Sequence, residues 1–181
     1  MDDLSTDAIA IIGLSGRYPQ AETLEHFWQV LTEGRDCITP IPAERWDHSR
    51  FYSDTKATGK TRSRWGGFLN GIDGFDAAFF GILPKDADLT DPQERLFVET
   101  AWHAVEDAGH SPESLTAGGR VGVFVGVMYS EYQLLAAEQT ALGQPTALSS
   151  SPASIANRVS YLFDFQGPSL AVDTMCASSL T

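Results

Sequence analysis

The sequence predicts an α/β domain, and two stretches of hydrophobic pattern are the main reason. Val121 to Val127 (VGVFVGV) is apolar throughout and rich in β-branched residues, which is typical of a strand covered on both faces. Asp91 to Gly109 carries apolar residues at the spacing of an amphipathic helix. Segments of these two kinds alternate along the 181 residues, and this alternation favours strands flanked by helices.

The composition is that of an ordinary globular domain with an acidic surface. The chain is 43% hydrophobic with a net charge of −12, and no dense cluster of Lys and Arg is present, which disfavours nucleic-acid binding. The mildly basic stretch 56–64 is interpreted as a solvated loop. No apolar run approaches the ~18 residues of a membrane span. The acidic start, MDDLSTD, resembles neither a signal nor a transit peptide, so we expect a cytoplasmic protein.

The first ninety residues combine one clear helix with a long irregular region. After a polar tail at residues 1–7, Ala8 to Ile12 predicts a buried strand. Thr23 as N-cap and Gly34 as terminator predict a helix between them. Residues 35–90 predict a loop-rich excursion packed by aromatic side chains. The predicted apolar face of the helix carries Leu24, Phe27, Trp28 and Leu31, and a small cluster is expected from Phe75, Phe79 and Phe80.

Two further helices are predicted with definite ends. Asp91 as N-cap, Pro92 in the first turn and Glu94 three residues after the cap match a capping box, and Gly109 ends this helix. Its buried face is expected to hold Phe97, Ala101, Ala104, Val105 and Ala108. A helix from Ser151-Pro152 to Gly167-Pro168 is expected to bury Ile155, Ala156, Val159, Leu162 and Phe163. A shorter helix is expected near 131–139.

One cysteine is placed where a nucleophile would be mounted. Ser169 to Thr174 predicts a strand, and Cys176 follows it before the small residues Ala177, Ser178 and Ser179. A thiol at a helix N-terminus is favoured as a thiolate, and its backbone N–H can face a developing oxyanion. The predicted order of elements is that of a nucleophile elbow, in which a strand, a sharp turn and a helix expose one reactive side chain. The competing interpretation is a buried structural thiol, since free cysteines are often small core residues.

The other candidate ligands give little support for a metal site or a disulfide framework. There is no CxxC motif and no Cys/His pair at zinc-ligand spacing. Cys37 lacks a strand–turn–helix context and is interpreted as structural. The histidines are scattered at His26, His48, His103 and His110.

The segment VDTMCASSL resembles the active-site signature of β-ketoacyl synthases, the condensing domains of fatty-acid and polyketide synthases. Other segments agree in order and spacing, so the resemblance covers essentially the whole chain and is closest to ketosynthases of modular polyketide synthases. The methionine before the cysteine resembles the variant found in modules served by a separate acyltransferase. The other segments that agree with this family in order and spacing are IAIIGLSGRYPQA, LEHFWQVLTEGRDCITPIPAERWD, DPQERLFVETAWHAVEDAG, GVFVG and IANRVSYLFDFQGPSLAVDT.

The resemblance implies a thiolase-like fold, a layered αβαβα arrangement of two related halves. Residues 8–181 would be the N-terminal part of the domain, ending just after Cys176 as the nucleophile. No bound cofactor is implied, because acyl groups arrive on the phosphopantetheine of an acyl carrier protein. A homodimer is implied through the strand Leu170 to Thr174. Cys176 would take an acyl chain and pass it to the carbanion from a decarboxylating malonyl carrier protein.

The family's downstream histidines lie in HGTGT-like and NxGH-like segments that these 181 residues do not contain. We therefore expect the chain alone to be inactive, and poorly soluble or a loose dimer, because open strand edges and apolar patches favour association. Two other functions remain open: a non-elongating, ketosynthase-like gatekeeping domain and a thiolase-type acyltransferase. Arg17, Arg62 and Arg64 are candidate docking contacts for a carrier protein, although a plain surface role is favoured.

Overall fold

The computed structural model describes residues 8–144, 147–148 and 150–180. The chain divides into two compact units, one formed by Gly16–Gly71 and the other by the residues before and after that stretch. The division into a tail at residues 1–7 and one domain over residues 8–181 stays a prediction. Residues 1–7 lie outside the described part, so the predicted tail stays a prediction.

The unit Gly16–Gly71 contains one regular helix, α1, at Leu24–Glu33. Its predicted ends are confirmed: the Thr23 hydroxyl accepts a hydrogen bond from the His26 N–H, and Gly34 adopts φ 62° as the C-cap. The predicted apolar face is wrong in part, because Trp28 and Leu31 are exposed and the buried residue is Val30. Phe27 instead stacks on Tyr18, which fixes the preceding loop to the helix.

The rest of that unit is the loop-rich region that the sequence predicted. It contains the short antiparallel pair of β1 (Thr39–Pro40) and β2 (Trp65–Gly66), and a single 3₁₀ turn at His48–Arg50. Aromatic contacts hold the loops, as in the stacking of Trp46 on Phe51. The side chain of Arg17 donates to the Asn70 carbonyl at 2.6 Å, so Arg17 closes this unit internally.

The second unit contains five helices and two strands among its described residues, in the order helix, helix, helix, strand, helix, helix, strand. In chain order they are α2 (Pro84–Asp88), α3 (Pro92–Asp107), α4 (Pro112–Gly118), β3 (Val123–Gly126), α5 (Tyr132–Ala141), α6 (Pro152–Leu162) and β4 (Ser169–Val172).

The core of this unit is built around α6, which contacts both the sheet and α3. Strands β3 and β4 pair in parallel, with Val123 opposite Ser169 and Gly126 opposite Val172. Parallel neighbours need a crossover connection, and α5 and α6 lie in it along the chain. The buried residues are Val98 from α3, Val123, Val125 and Val127 around β3, Ile155, Ala156 and Val159 from α6, and Phe163 and Phe165 after it.

Three predicted features of this unit differ in the structure. Ala8 to Ile12 does not form a strand, because no described strand lies beside it to complete a ladder, and Ile9 and Ile11 are exposed. Strand β3 is covered on one face rather than two: Val123 and Val125 are buried while Phe124 between them is 62% exposed. Helix α6 ends at Leu162, before Gly167, because Phe163 turns back into the core.

The predicted aromatic cluster is confirmed and extended. Phe80 stacks on Phe75 and meets Phe79 edge-on, and Phe79 meets Trp102 of α3 edge-on. Trp102 in turn contacts Phe163 in the core. Within the described residues, no helix is both long and apolar enough to cross a membrane.

Candidate functional site

The candidate site is the turn that follows β4, and its backbone is bent sharply just before the cysteine. Met175 adopts φ 57°, a left-handed conformation that non-glycine residues rarely adopt. Cys176 follows directly and is exposed. Left-handed, non-glycine residues cost free energy and concentrate at functional turns. The bend thus turns the chain out of the sheet and presents the Cys176 side chain to solvent.

Two side chains hold this turn in place, those of Asp173 and Ser178. The Asp173 carboxylate accepts from the Met175 N–H at 2.9 Å. The Ser178 hydroxyl accepts from the Thr174 N–H at 2.9 Å and donates to the Met175 carbonyl at 2.7 Å. Ser178 therefore ties both sides of the Met175 bend together. Ser178, which the sequence analysis noted only as a small residue, is therefore a structural partner of the turn.

Gly126, the last residue of β3, lies directly against this turn. A Cβ at this position would lie 3.0 Å from the Ser178 carbonyl carbon and 3.1 Å from the Ser179 nitrogen. The absence of a side chain at Gly126 therefore permits the close approach of the two backbone segments. The end of β3 thus supports the turn that carries Cys176.

Four described residues follow Cys176. The described residues form a single 3₁₀ turn, Ser178–Leu180, and Thr181 lies outside them. A three-residue turn offers few free N–H groups, so the expected helix N-terminus is not present in the part that the structure describes. Strand β4 also ends at Val172 rather than Thr174. The strand and sharp turn of a nucleophile elbow are present, and the described residues continue only to Leu180.

Helix α6 fixes the start of β4 through a small polar network. The Ser160 hydroxyl donates to the Ser169 hydroxyl at 3.1 Å, and Ser169 donates to the Asn157 amide oxygen at 2.7 Å. Ser169 is the first residue of β4. Because hydrogen bonds are directional, this network fixes the position of the first residue of β4. It thereby helps to position the turn that follows the strand.

A buried ion pair then anchors α6 to α3, and the sequence analysis missed it. Glu94 is 0% exposed, and its carboxylate accepts from the Arg158 guanidinium at 2.5 Å and from the Ser154 hydroxyl at 2.5 Å. The predicted capping box is wrong, because Glu94 reaches α6 rather than the helix N-terminus. The Asp91 cap is confirmed: its carboxylate accepts from the Gln93 N–H. Glu94 lies one turn before buried Val98, and this spacing was the signal available in the sequence.

The remaining candidate groups do not join this site. His103 contacts Glu106 and His110 contacts Ser114, both pairs at the surface, and no histidine among the described residues hydrogen-bonds to Cys176. Cys37 is half-buried, with its Sγ 3.9 Å from the Arg35 carbonyl oxygen. No group of three or more His, Cys, Asp or Glu side chains in the described part is arranged to hold a metal ion.

Comparison with known proteins identifies the class to which this fold and turn belong. Residues 6–181 match the family model of the β-ketoacyl synthase N-terminal domain. The chain is 64% identical to polyketide synthase ThaG of Burkholderia thailandensis and 56% identical to polyketide synthase PksL of Bacillus subtilis, covering 98% and 97% of this chain. It covers only 3% and 4% of those proteins.

Solved structures agree with the sequence comparison. The oxazolomycin ketosynthase domain OzmH KS7 of Streptomyces albus JA3453 superposes with a TM-score of 0.89 at 53% identity over 94% of this chain. The ketosynthase of module 6 of the Bacillus subtilis bacillaene synthase gives 0.79 at 36% identity over 96%. The chain spans 29% and 28% of those two structures.

The chain therefore has the thiolase-like fold of ketosynthase domains, in the part of that fold that it covers. More particularly, the chain belongs to the β-ketoacyl synthase family as the N-terminal portion of a ketosynthase of a modular polyketide synthase.

Proposed function

We propose that Cys176 is the nucleophile of a ketosynthase that extends a polyketide chain. The observation that carries this proposal is the strained turn at Met175, which follows β4 and exposes the thiol. A buried structural thiol would need neither the exposure nor the bend. Cys37 has neither feature and keeps the structural role predicted from its context.

In the first step the Cys176 thiolate attacks the carbonyl carbon of an acyl thioester carried on phosphopantetheine. A tetrahedral oxyanion forms and collapses, the acyl–sulfur bond of the carrier breaks, and the phosphopantetheine thiol leaves with a proton. In the second step a malonyl thioester loses CO₂, and the resulting carbanion attacks the Cys176 thioester. A carbon–carbon bond forms, the Cys176 thiolate leaves, and the product is a β-ketoacyl thioester two carbons longer. The covalent intermediate divides one difficult reaction into two.

Two partners follow from this function. An acyl carrier protein delivers both thioesters, and no metal or resident cofactor takes part. A second copy of the chain pairs along the strand Leu170 to Thr174. In support of the dimer, β4 pairs only with β3 among the described strands, and Leu170 is 51% exposed. An unpaired strand edge with apolar side chains is suited to association.

Acyl loading of the complete ketosynthase-containing protein tests the role of Cys176. Incubation with an acyl carrier thioester is expected to add one acyl mass to the wild type and to Cys37→Ala, but none to Cys176→Ala. The readout is intact mass under denaturing conditions. Full acylation of Cys176→Ala would show that another group is the nucleophile.

Elongation is tested separately from loading. Malonyl carrier protein given to the acylated protein is expected to release CO₂ and a β-ketoacyl carrier product in equal amounts. Loading without CO₂ release would assign the protein to the non-elongating ketosynthases. In that case Cys176 would still be the acyl acceptor.

A further inference from the structure

The peptide group that joins Met175 to Cys176 accepts two hydrogen bonds at its carbonyl oxygen. The donors are the Ser178 hydroxyl at 2.7 Å and the Ser178 backbone N–H at 3.1 Å. A carbonyl oxygen has two lone pairs, so two donors satisfy it fully. Both donors belong to the first residue of the 3₁₀ turn that follows the cysteine.

The opposite end of the same peptide group, the Cys176 N–H, donates no hydrogen bond within the described residues. Every other N–H group from residue 174 to residue 178 has an acceptor. The Cys176 N–H is therefore the one donor of this turn that is available to a substrate in the part that the structure describes. The acceptors of the other four are the Ser178 hydroxyl, the Asp173 carboxylate, the Thr174 carbonyl and the Met175 carbonyl.

The Ser178 hydroxyl links a series of hydrogen bonds that all run in one direction. Its oxygen accepts from the Thr174 N–H at 2.9 Å, and its proton is donated to the Met175 carbonyl. The peptide group then carries the polarisation from that carbonyl to the Cys176 N–H. Hydrogen bonds in series strengthen one another, so the donor at the end of such a series is stronger than an isolated one. We call this arrangement the Ser178 hydrogen-bond series.

We propose that Ser178 is a positioning residue for acyl transfer, and that it acts through the Met175–Cys176 peptide group on the oxyanion of the substrate. This inference rests on the proposed function for the reaction, and on the geometry of the turn for the residue. When the Cys176 thiolate attacks, a sulfur–carbon bond forms and the carbonyl electron pair moves onto the oxygen. A more strongly polarised N–H stabilises that negative charge more than it stabilises the neutral thioester, and only this difference raises the rate.

The series does not act on the formation of the thiolate. The N–H and the Sγ of one residue are joined through only two carbon atoms, so they cannot align as a good hydrogen bond. Alkylation of Cys176 by iodoacetamide needs the thiolate and its exposure, but no oxyanion forms in that reaction. Two reactions of the same thiol therefore separate the effect on the oxyanion from any effect on the thiol itself.

Ser178→Ala in the complete ketosynthase-containing protein tests the proposal. It removes the hydroxyl, whereas the backbone hydrogen bond to the Met175 carbonyl and the Asp173 contact with the Met175 N–H remain. The rate of acylation of Cys176 by acyl-N-acetylcysteamine is expected to fall about tenfold, less than the roughly 10²- to 10³-fold that follows loss of a whole oxyanion donor. The rate of alkylation by iodoacetamide should change less than about twofold.

Ser179→Ala is the matched control. It removes the same hydroxyl group one residue further along, and the exposed Ser179 side chain makes no hydrogen bond within the described residues. Both rates are expected to equal those of the wild type. Equal slowing of acylation in the two serine variants would overturn the proposal, and so would an unchanged acylation rate in Ser178→Ala.

A role for Ser178 in holding the turn, without the polarisation, gives a different result. Loss of the hydroxyl would then displace the Cys176 side chain, and a displaced nucleophile reacts more slowly with every electrophile. Acylation and alkylation would slow in parallel in Ser178→Ala. That parallel loss would overturn the proposal and leave Ser178 as a support of the Met175 bend.

The stretching frequency of the acyl carbonyl on Cys176 reports the strength of the same N–H donor. An acyl group labelled with carbon-13 at its carbonyl gives an infrared difference band from this group alone. A stronger hydrogen bond weakens the C=O bond, so Ser178→Ala should shift the band to higher wavenumber and Ser179→Ala should not. A band that does not move in Ser178→Ala would show that Ser178 does not act through the Cys176 N–H.

Failure of this inference and failure of the proposed function give different results. If the wild type takes no acyl group on Cys176, the proposed function fails and the role of Ser178 fails with it. If the wild type is acylated and Ser178→Ala behaves like Ser179→Ala, Cys176 stands as the nucleophile and only the role of Ser178 is overturned.

Discussion

At the scale of single residues, the positioning of Cys176 depends on two neighbours that are not reactive. Met175 adopts the left-handed backbone conformation that bends the chain. Gly126 lacks a side chain and so leaves room for the turn to pack against the end of β3. A small displacement of a nucleophile from its productive position costs more rate than stability. Substitutions at these two positions should therefore alter acyl loading before they alter folding.

Gly126→Ala in the complete protein should slow acylation of Cys176 about tenfold, because the new methyl would lie 3.0 to 3.1 Å from backbone and Cβ atoms of Ser178. The measurement is the rate of acylation by a free thioester. Gly118→Ala is the matched control, since nothing lies within 4 Å of the added Cβ there. Unchanged loading in Gly126→Ala would mean that the end of β3 does not support the turn.

Met175→Val should impair loading, whereas Met175→Gly should preserve it. A β-branched residue opposes the left-handed φ of 57°, and glycine adopts it without penalty. The same acylation assay gives the ranking: glycine and methionine similar, valine slower. If valine loads as fast as methionine, the bend is not required for the reactive arrangement.

At the scale of elements, the important connection is the chain of contacts from α3 through α6 to β4. The sequence predicted the existence of these three elements and most of their apolar faces, because periodicity and capping residues are local signals. It assigned Glu94 to a capping box, because a carboxylate three residues after a cap has that local explanation. The true partner, Arg158, is distant in the sequence, and only the tertiary packing of α3 against α6 reveals it.

Glu94→Gln should lower the free energy of unfolding by about 2 kcal/mol, because it removes one charge of a buried pair and leaves Arg158 uncompensated. This expected loss in the free energy of unfolding is smaller than is usual for fully buried ion pairs, because the Arg158 side chain is 30% exposed. The measurement is the urea midpoint of the complete ketosynthase domain.

Two further variants interpret that result. Glu94→Leu with Arg158→Met should recover much of the stability, because no buried charge then lacks a partner. Glu106→Gln, in the exposed pair with His103, should change stability by less than about 0.5 kcal/mol. If Glu94→Gln behaves like Glu106→Gln, the ion pair does not anchor α6.

At the scale of the whole molecule, the sequence identified the fold because its motifs span the chain. The sequence did not indicate which faces of the predicted strands are packed against other elements. Phe124 and Val125 are both hydrophobic, yet only Val125 belongs to the buried core that includes the α6 residues, whereas Phe124 is exposed. Apolar runs alone therefore could not distinguish a strand covered on both faces from one covered on a single face.

The 181 residues prepared alone should associate rather than remain monomeric. Ile9, Phe124 and Leu170 leave large apolar side chains at the surface, and contiguous apolar surface favours association. Sedimentation velocity over a range of concentrations measures this directly. A concentration-independent monomer with a sharp, cooperative thermal transition would contradict the expectation.

The central claim is that Cys176, and not another nucleophile, accepts the acyl chain. Its most direct test is peptide mapping of the complete protein after brief incubation with an acyl thioester. The account predicts the acyl mass on the peptide that contains Cys176 and none on the peptide that contains Cys37. An acyl group on Cys37, or on a serine of the same turn with Cys176 unmodified, would contradict it.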